Sequence, residues 1–218
     1  MYKYIAKYLL LPKVFRFFGV VVLPSVFIGL VGFFICSYLA LFVLPADATQ
    51  QEIYRILFVH VPAAIFSELI YIFMACCGFI YLVWKTKISA IMLRSAISLG
   101  LVFTLIVLIS GAIWGKPTWG TYWVWDARIT STFILLIQYI GLLALRTSFN
   151  TMQTTDQILS IVAIVGAINI PIIKFSVNWW NTLHQNASIT FSGSSIDAEM
   201  LYVLSLIHIS EPTRHDRI

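Results

Sequence analysis

Between Trp114 and Trp125 the sequence places Trp114, Trp119, Tyr122, Trp123 and Trp125, five aromatics in twelve positions of a chain that is 15% aromatic overall. Asp126 and Arg128 follow at once. Indole faces bind flat apolar surfaces, and arginine grips carboxylates with a planar fork. Such a set suits a large planar ligand with anionic groups, and haem is such a molecule. Trp and Tyr also collect at both membrane interfaces for solvation reasons alone, so an aromatic belt is the competing reading.

His60 and His184 are the candidate metal ligands. Imidazole binds iron through one ring nitrogen while an acceptor holds the other, so two of them can cap a haem on its two faces. An interfacial histidine touching only water or a headgroup is the plainer alternative for either. Arg128 and Arg55 offer cationic forks for two propionates; pairing of Arg128 with Asp126 alone, or of either arginine with lipid phosphate, is the alternative. Asp126 precedes the predicted start of a helix at Ala127, so it is expected first as an N-cap and second as an orienter of arginine. Glu68 is the one acid inside a predicted span, about 12 Å along the helix from His60 and about 80° around it. That offset disfavours a direct relay, and a protonated carboxyl bonded to Gln138 or Asn169 on another helix is the structural reading.

These residues must be positioned by membrane helices. The 218 residues are 60% hydrophobic and 11% charged, far more apolar than a water-soluble domain. Apolar runs at Phe18–Leu44, Ile56–Trp84, Ser95–Trp114, Ile129–Arg146 and Ile158–Val177 each meet or approach the roughly 20 residues that cross about 30 Å of hydrocarbon. None alternates with the period of a barrel strand. The expected fold is all-α, a single polytopic bundle over residues 1–218 with five clear spans and a truncated or atypical sixth. Lys3, Lys7, Lys13 and Arg16 precede the first run without an acid, which predicts a retained signal anchor. Lys85, Lys87, Arg94 and Arg146 fall on the same side by alternation, against Arg55, Lys116, Arg128 and Lys174 on the other, a modest bias by which the N-terminus is expected inside. The connections at 45–55, 115–128 and 178–198 then share the outer side, which brings the tryptophans, Arg55 and both histidines to one surface. Pro62 and Pro171 lie within apolar runs, where a kink is the usual outcome. The net charge of +5 is scattered at the ends of these runs, so nucleic acid is excluded as a partner and membrane lipid expected. Cys36, Cys76 and Cys77 lie inside the runs and no C-x-x-C-H occurs, so the chain is not itself a c-type cytochrome.

Trp119-Gly-Thr-Tyr-Trp-Val-Trp-Asp-Ala-Arg-Ile-Thr130 resembles the tryptophan-rich signature W-G-x-x-W-x-W-D-x-R-L-T of the haem-handling proteins of cytochrome c biogenesis. With the placement of His60 and His184, it looks like the cytochrome c maturation protein C family. Tyr122, where members often have Trp, and Ile129 in place of Leu are mild departures. The likeness is expected to end near Met200. The resemblance implies that His60 and His184 are axial ligands of haem b, held non-covalently as cargo, and that Arg128 and Arg55 meet its propionates. It implies delivery to a haem chaperone, maturation protein E, alongside a small membrane protein D and ATP-binding-cassette subunits A and B. It places the chain in a bacterial inner membrane, with the mitochondrial inner membrane as the alternative.

The chain is not expected to be an enzyme, although it can assist covalent attachment of haem to the chaperone. Gly111-Ala-Ile-Trp-Gly115-Lys116 is one residue short of a phosphate-binding loop and lacks the Ser or Thr after lysine, so nucleotide hydrolysis is excluded. The rival reading is a channel or small-molecule transporter with Glu68 in its pathway and the tryptophans as a belt. At the far end, Met200–Ile207 begins an apolar run that meets Glu211-Pro-Thr-Arg-His-Asp-Arg217 before the roughly 17 residues a tilted span requires. The last dozen or so residues are therefore expected to be a foreign or frameshifted ending.

Overall fold

Hydrocarbon offers no partner to a backbone N–H, so each crossing segment must bond within itself, and the described chain is helical almost throughout. The structure, a computed structural model, describes residues 11–47, 50–180, 182–184, 189–190, 193–194 and 198–207. Five helical segments are long and apolar enough to cross a membrane: Arg16–Val43, Glu52–Trp84, Lys87–Trp119, Ala127–Leu145 and Met152–Trp179. Clustering of the fold gives two compact units, residues 1–47 with 188–218, and residues 48–187.

In the first unit, α1 (Leu11–Tyr38) continues into a π-helical turn at Leu39–Val43. Ile189–Thr190 (β1) pairs antiparallel with Gly193–Ser194 (β2). The ten described residues of α7 (Ala198–Ile207) pack on α1. The expected foreign ending, residues 208–218, lies outside the described residues.

The second unit carries every residue proposed for chemistry. A 3-10 turn at Glu52–Ile56 leads into α2 (Leu57–Trp84), followed by α3 (Lys87–Trp119), α4 (Ala127–Leu145), α5 (Met152–Gly166) and α6 (Asn169–Trp179). Helix α3 begins at Lys87, not Ser95, and runs on to Trp119, not Trp114. The apolar run marks where lipid contact starts and stops, whereas polar residues at both ends continue the helix in the interface. The connection expected at 85–94 is thereby only Lys85-Thr86, with Lys85 in the left-handed region at φ 53° and its N–H donating to the Tyr81 carbonyl at 2.8 Å.

Pro62 is buried within a continuous α2. The fifth apolar run, by contrast, is broken into α5 and α6 at Ala167-Ile168. Pro171 has no N–H for the Ala167 carbonyl and its ring crowds that carbonyl; Ile170 N–H takes the bond instead at 3.1 Å. Asn169 Nδ2 then ties the break to α4 by donating to the Ser131 carbonyl at 2.9 Å. The core of this unit is built on Tyr71, Met74, Leu93, Ile97, Leu135, Tyr139, Leu142 and Leu159. Tyr139 donates to the Ser67 carbonyl at 2.8 Å, and its ring lies where a Cβ at Gly100 would come within 2.2 Å, so only glycine admits it. At the end away from the tryptophans, Arg94 meets Asp156 Oδ1 at 2.7 Å.

Candidate functional site

The tryptophan-rich stretch 114–130, expected from the sequence as an outer loop, is mostly helix. Trp114 and Trp119 belong to the last turns of α3, and only residues 120–126 lie between α3 and α4. Gly120 ends α3 at φ 80°, its N–H donating to the Lys116 carbonyl at 3.0 Å, a left-handed cap that suits glycine. Asp126 starts α4 as the expected N-cap: its Oδ1 accepts from Ile129 N–H at 2.7 Å.

The other Asp126 oxygen turns to His184. Oδ2 lies 3.0 Å from His184 Nδ1, and the imidazole ring packs edge-on against Trp119 with centroids 4.8 Å apart. Burial holds His184 below its ordinary value of 6.5, against the opposing effect of the Asp126 hydrogen bond. The ring is then neutral at pH 7, Nδ1–H donates to the carboxylate, and Nε2 keeps its lone pair. A carboxylate behind an imidazole is the arrangement that fixes and strengthens a metal-ligating histidine.

His60 lies one turn inside α2 and packs edge-on against Trp114 at 5.7 Å, while Trp114 Nε1 donates to Gln50 Oε1 at 2.9 Å. Its Nδ1 is 3.0 Å from Ser110 Oγ on α3. His60 and His184 are in electrostatic reach of each other and of Arg128. Among the described residues no group of three or more His, Cys, Asp or Glu side chains gathers as a metal-ligand set.

The remaining candidates divide. Arg128, on the first turn of α4, feels Glu68 and Asp126, yet among the described residues its guanidinium has no hydrogen bond or ion pair; Asp126 is turned to His184, not to arginine. Arg55 is paired with Glu52 and lies over the Tyr54 ring. Trp123 packs edge-on with Trp125 and Phe133, and its Nε1 is a buried donor with no partner among the described residues. Trp125 is 71% exposed and Tyr122 61%, the latter beneath Lys116 Nζ. The aromatic rings therefore meet edge to face, not as one flat stack. Glu68 feels Lys174 and Arg128. Neither Gln138, which donates to the Gly166 carbonyl, nor Asn169 bonds to it among the described residues.

Sequence reasoning missed Ser110, Gly111, Gly115 and Gln50. A Cβ at Gly111 would sit 3.1 Å from His60 Cε1, and one at Gly115 would meet the Trp119 ring at 3.1 Å. The signal was helical spacing: once α3 is run through Trp114, Ser110 lies one turn before it and Gly111 one turn before Gly115.

The fold and site define a polytopic helical membrane protein with two imidazoles, each held at Nδ1, among tryptophans at one end of a helix bundle. The chain belongs to the heme exporter protein C family, whose sequence profile matches residues 5–213, past the Met200 at which the motif likeness was expected to end. It is 48% identical over 173 residues to a ccmC-like mitochondrial protein of cytochrome c biosynthesis from Marchantia polymorpha, covering 79% of this chain and 73% of that one. It is 47% identical over 156 residues to heme exporter protein C of Escherichia coli K12, covering 72% of this chain and 63% of that one. The corresponding protein of Bradyrhizobium diazoefficiens is 41% identical over 167 residues, with 76% and 64% covered. The chain thus spans under two thirds of the length of these two bacterial relatives.

Proposed function

We propose that this chain binds haem b non-covalently at the outer face of the membrane and presents it to a haem chaperone for cytochrome c maturation. His60 and His184 ligate the iron, Trp114, Trp119, Trp123 and Trp125 with Tyr122 form the aromatic surround, and Arg128 meets a propionate, with Arg55 able to do so on release from Glu52. The observation that carries this reading is that both imidazoles have Nδ1 against an acceptor, Asp126 in one case and Ser110 in the other, which leaves the Nε2 lone pair of each for a metal. Haem, when bound, would supply an iron that takes nitrogen ligands, and His60 and His184 are the residues that would hold it. Trp123 Nε1 and the Arg128 guanidinium, which have no partner among the described residues, are donors of the kind that anionic carboxylates take.

The chain binds, orients and hands on, and its role is delivery, not catalysis. Its partners are the chaperone, maturation protein E, the small membrane protein D and the ATP-binding-cassette subunits A and B. Its membrane is the bacterial inner membrane or its mitochondrial counterpart, which the relatives from both sources support.

Protein purified from haem-replete cells is expected to show a Soret band, and His60→Ala and His184→Ala each to shift or weaken it while the protein still inserts. Unchanged spectra in both variants would remove the ligand assignment. A wild-type protein without a Soret band would favour a channel or transporter with an aromatic belt.

A further inference from the structure

The two imidazoles differ in what holds them. Ser110 Oγ gives its one proton to the Ile106 carbonyl at 2.6 Å, so toward His60 Nδ1 it acts as an acceptor. The Val107 carbonyl also interacts with the His60 imidazole, and both acceptors are neutral. His184 faces a carboxylate instead, at the same 3.0 Å. Hydrogen bonds to ionised acceptors are about twice as strong as neutral ones, and a stronger pull on the Nδ1 proton makes the opposite nitrogen the better donor to a metal. Gly111 completes the His60 support. A Cβ there would press on Cε1 at 3.1 Å and stand 3.6 Å from Nδ1, so the ring would have to shift from its seat against Ser110, while Trp114 borders the ring edge-on.

Resting on the haem-binding reading above, we propose that Ser110 and Gly111 are positioning residues that hold His60 as the weaker of two iron ligands, so that an incoming ligand displaces His60 first and leaves haem on His184. The step is a ligand exchange: the iron–Nε2 bond to His60 breaks as the bond to the incoming ligand forms, with no change of oxidation state. Ordered release of this kind keeps one bond to the cargo until its acceptor has taken hold.

The test uses the full chain loaded with ferric haem and titrated with cyanide, with the Soret shift as readout. Ser110→Thr and Ser110→Val have the same shape and differ by one hydroxyl. The valine variant is expected to reach half-displacement at about one tenth of the cyanide that the threonine variant needs, the low end of the usual effect of removing the hydrogen-bond partner of a ligating histidine. Threonine is expected to match the wild type. Because the effect acts through His60, the difference should vanish in a His60→Ala background. Equal midpoints for threonine and valine, or a difference that survives His60→Ala, would overturn the inference. If the valine variant fails to insert, Gly111→Ala decides: an unchanged midpoint overturns the inference, and an earlier one supports it. A spectrum unmoved by His60→Ala alone would instead sink the ligand assignment, a separate failure from that of Ser110.

Discussion

At the scale of single residues, the site is organised by which polar atoms are already committed. Asp126 uses one oxygen to cap α4 and the other to hold His184, so one side chain joins the helix start to the candidate ligand. Arg128, two residues on, is left to meet something else. Arg128→Ala is expected to lower haem occupancy severalfold, on the order of a lost charged hydrogen bond, and Arg128→Lys to restore it only in part, because an ammonium is a point charge and guanidinium a planar fork. Full restoration by lysine, measured as the ratio of Soret to protein absorbance, would show that charge alone suffices. A second expectation concerns pH. Burial keeps His184 below its ordinary 6.5 in the folded protein, so the unfolded chain binds the proton first as pH falls. The stability contributed by the neutral ring is complete above about 6.5 and declines from there down through the folded value. Haem-free protein should therefore melt progressively earlier below pH 6.5 in detergent, and His184→Gln should flatten part of that slope. An identical slope in the variant would contradict the assignment.

At the scale of elements, the number of segments long enough to cross a membrane was legible in the apolar runs because hydrocarbon thickness sets a minimum length. Their ends and breaks were not. Lys87, Arg94 and Lys116 read as loop by hydropathy but continue α3, since helix geometry outlasts the lipid contact that hydropathy measures. The Asp126 cap was legible from one residue type at one position, whereas its grip on His184 joins residues 58 apart and had no local signal. The break in the fifth run was signalled by Pro171 alone, and its place, one turn earlier, follows from the carbonyl that proline leaves without a donor. Pro171→Ala is expected to let α5 and α6 join, since alanine restores the donor and removes the clash. Straightening there would move the end of α6, which leads toward His184. Haem occupancy should fall although the local helix is improved, and an occupancy equal to wild type would show that the break does not position the site. Gly100→Ala should act on the bundle itself. Its Cβ would lie 2.2 Å from the Tyr139 ring, an overpacking that costs roughly 1–3 kcal/mol. The thermal midpoint in detergent should drop accordingly, and an unchanged midpoint would mean that α3 and α4 shift apart freely.

At the scale of the whole molecule, the second unit has two chemically different ends. One end gathers His60, Trp114, Trp119, Asp126 and His184; the other has Lys85 and Lys87 at the α2–α3 turn, Arg146 after α4, and the Arg94–Asp156 pair between α3 and α5. Lysine and arginine in short connections are retained on the cytoplasmic side, and the proposed outer placement of the site rests on that tendency. The aromatic-rich side carries Arg55, Lys116, Arg128 and Lys174, as many cations as Lys85, Lys87, Arg94 and Arg146 opposite, so the bias in the sequence rests on Lys3, Lys7, Lys13 and Arg16, which makes sidedness worth measuring directly. The native cysteines must first be removed. Cys36 and Cys77 are buried, and Cys76 is exposed on α2 within an apolar span. In that background, a single cysteine at Tyr122, which is 61% exposed, should react with a membrane-impermeant maleimide added to intact cells from which the outer membrane has been stripped. One at Lys85 or Arg146 should react only after the inner membrane is opened. Labelling of the Lys85 position in intact cells, with protection at Tyr122, would invert the orientation and place the paired histidines on the side from which no outer chaperone could collect haem.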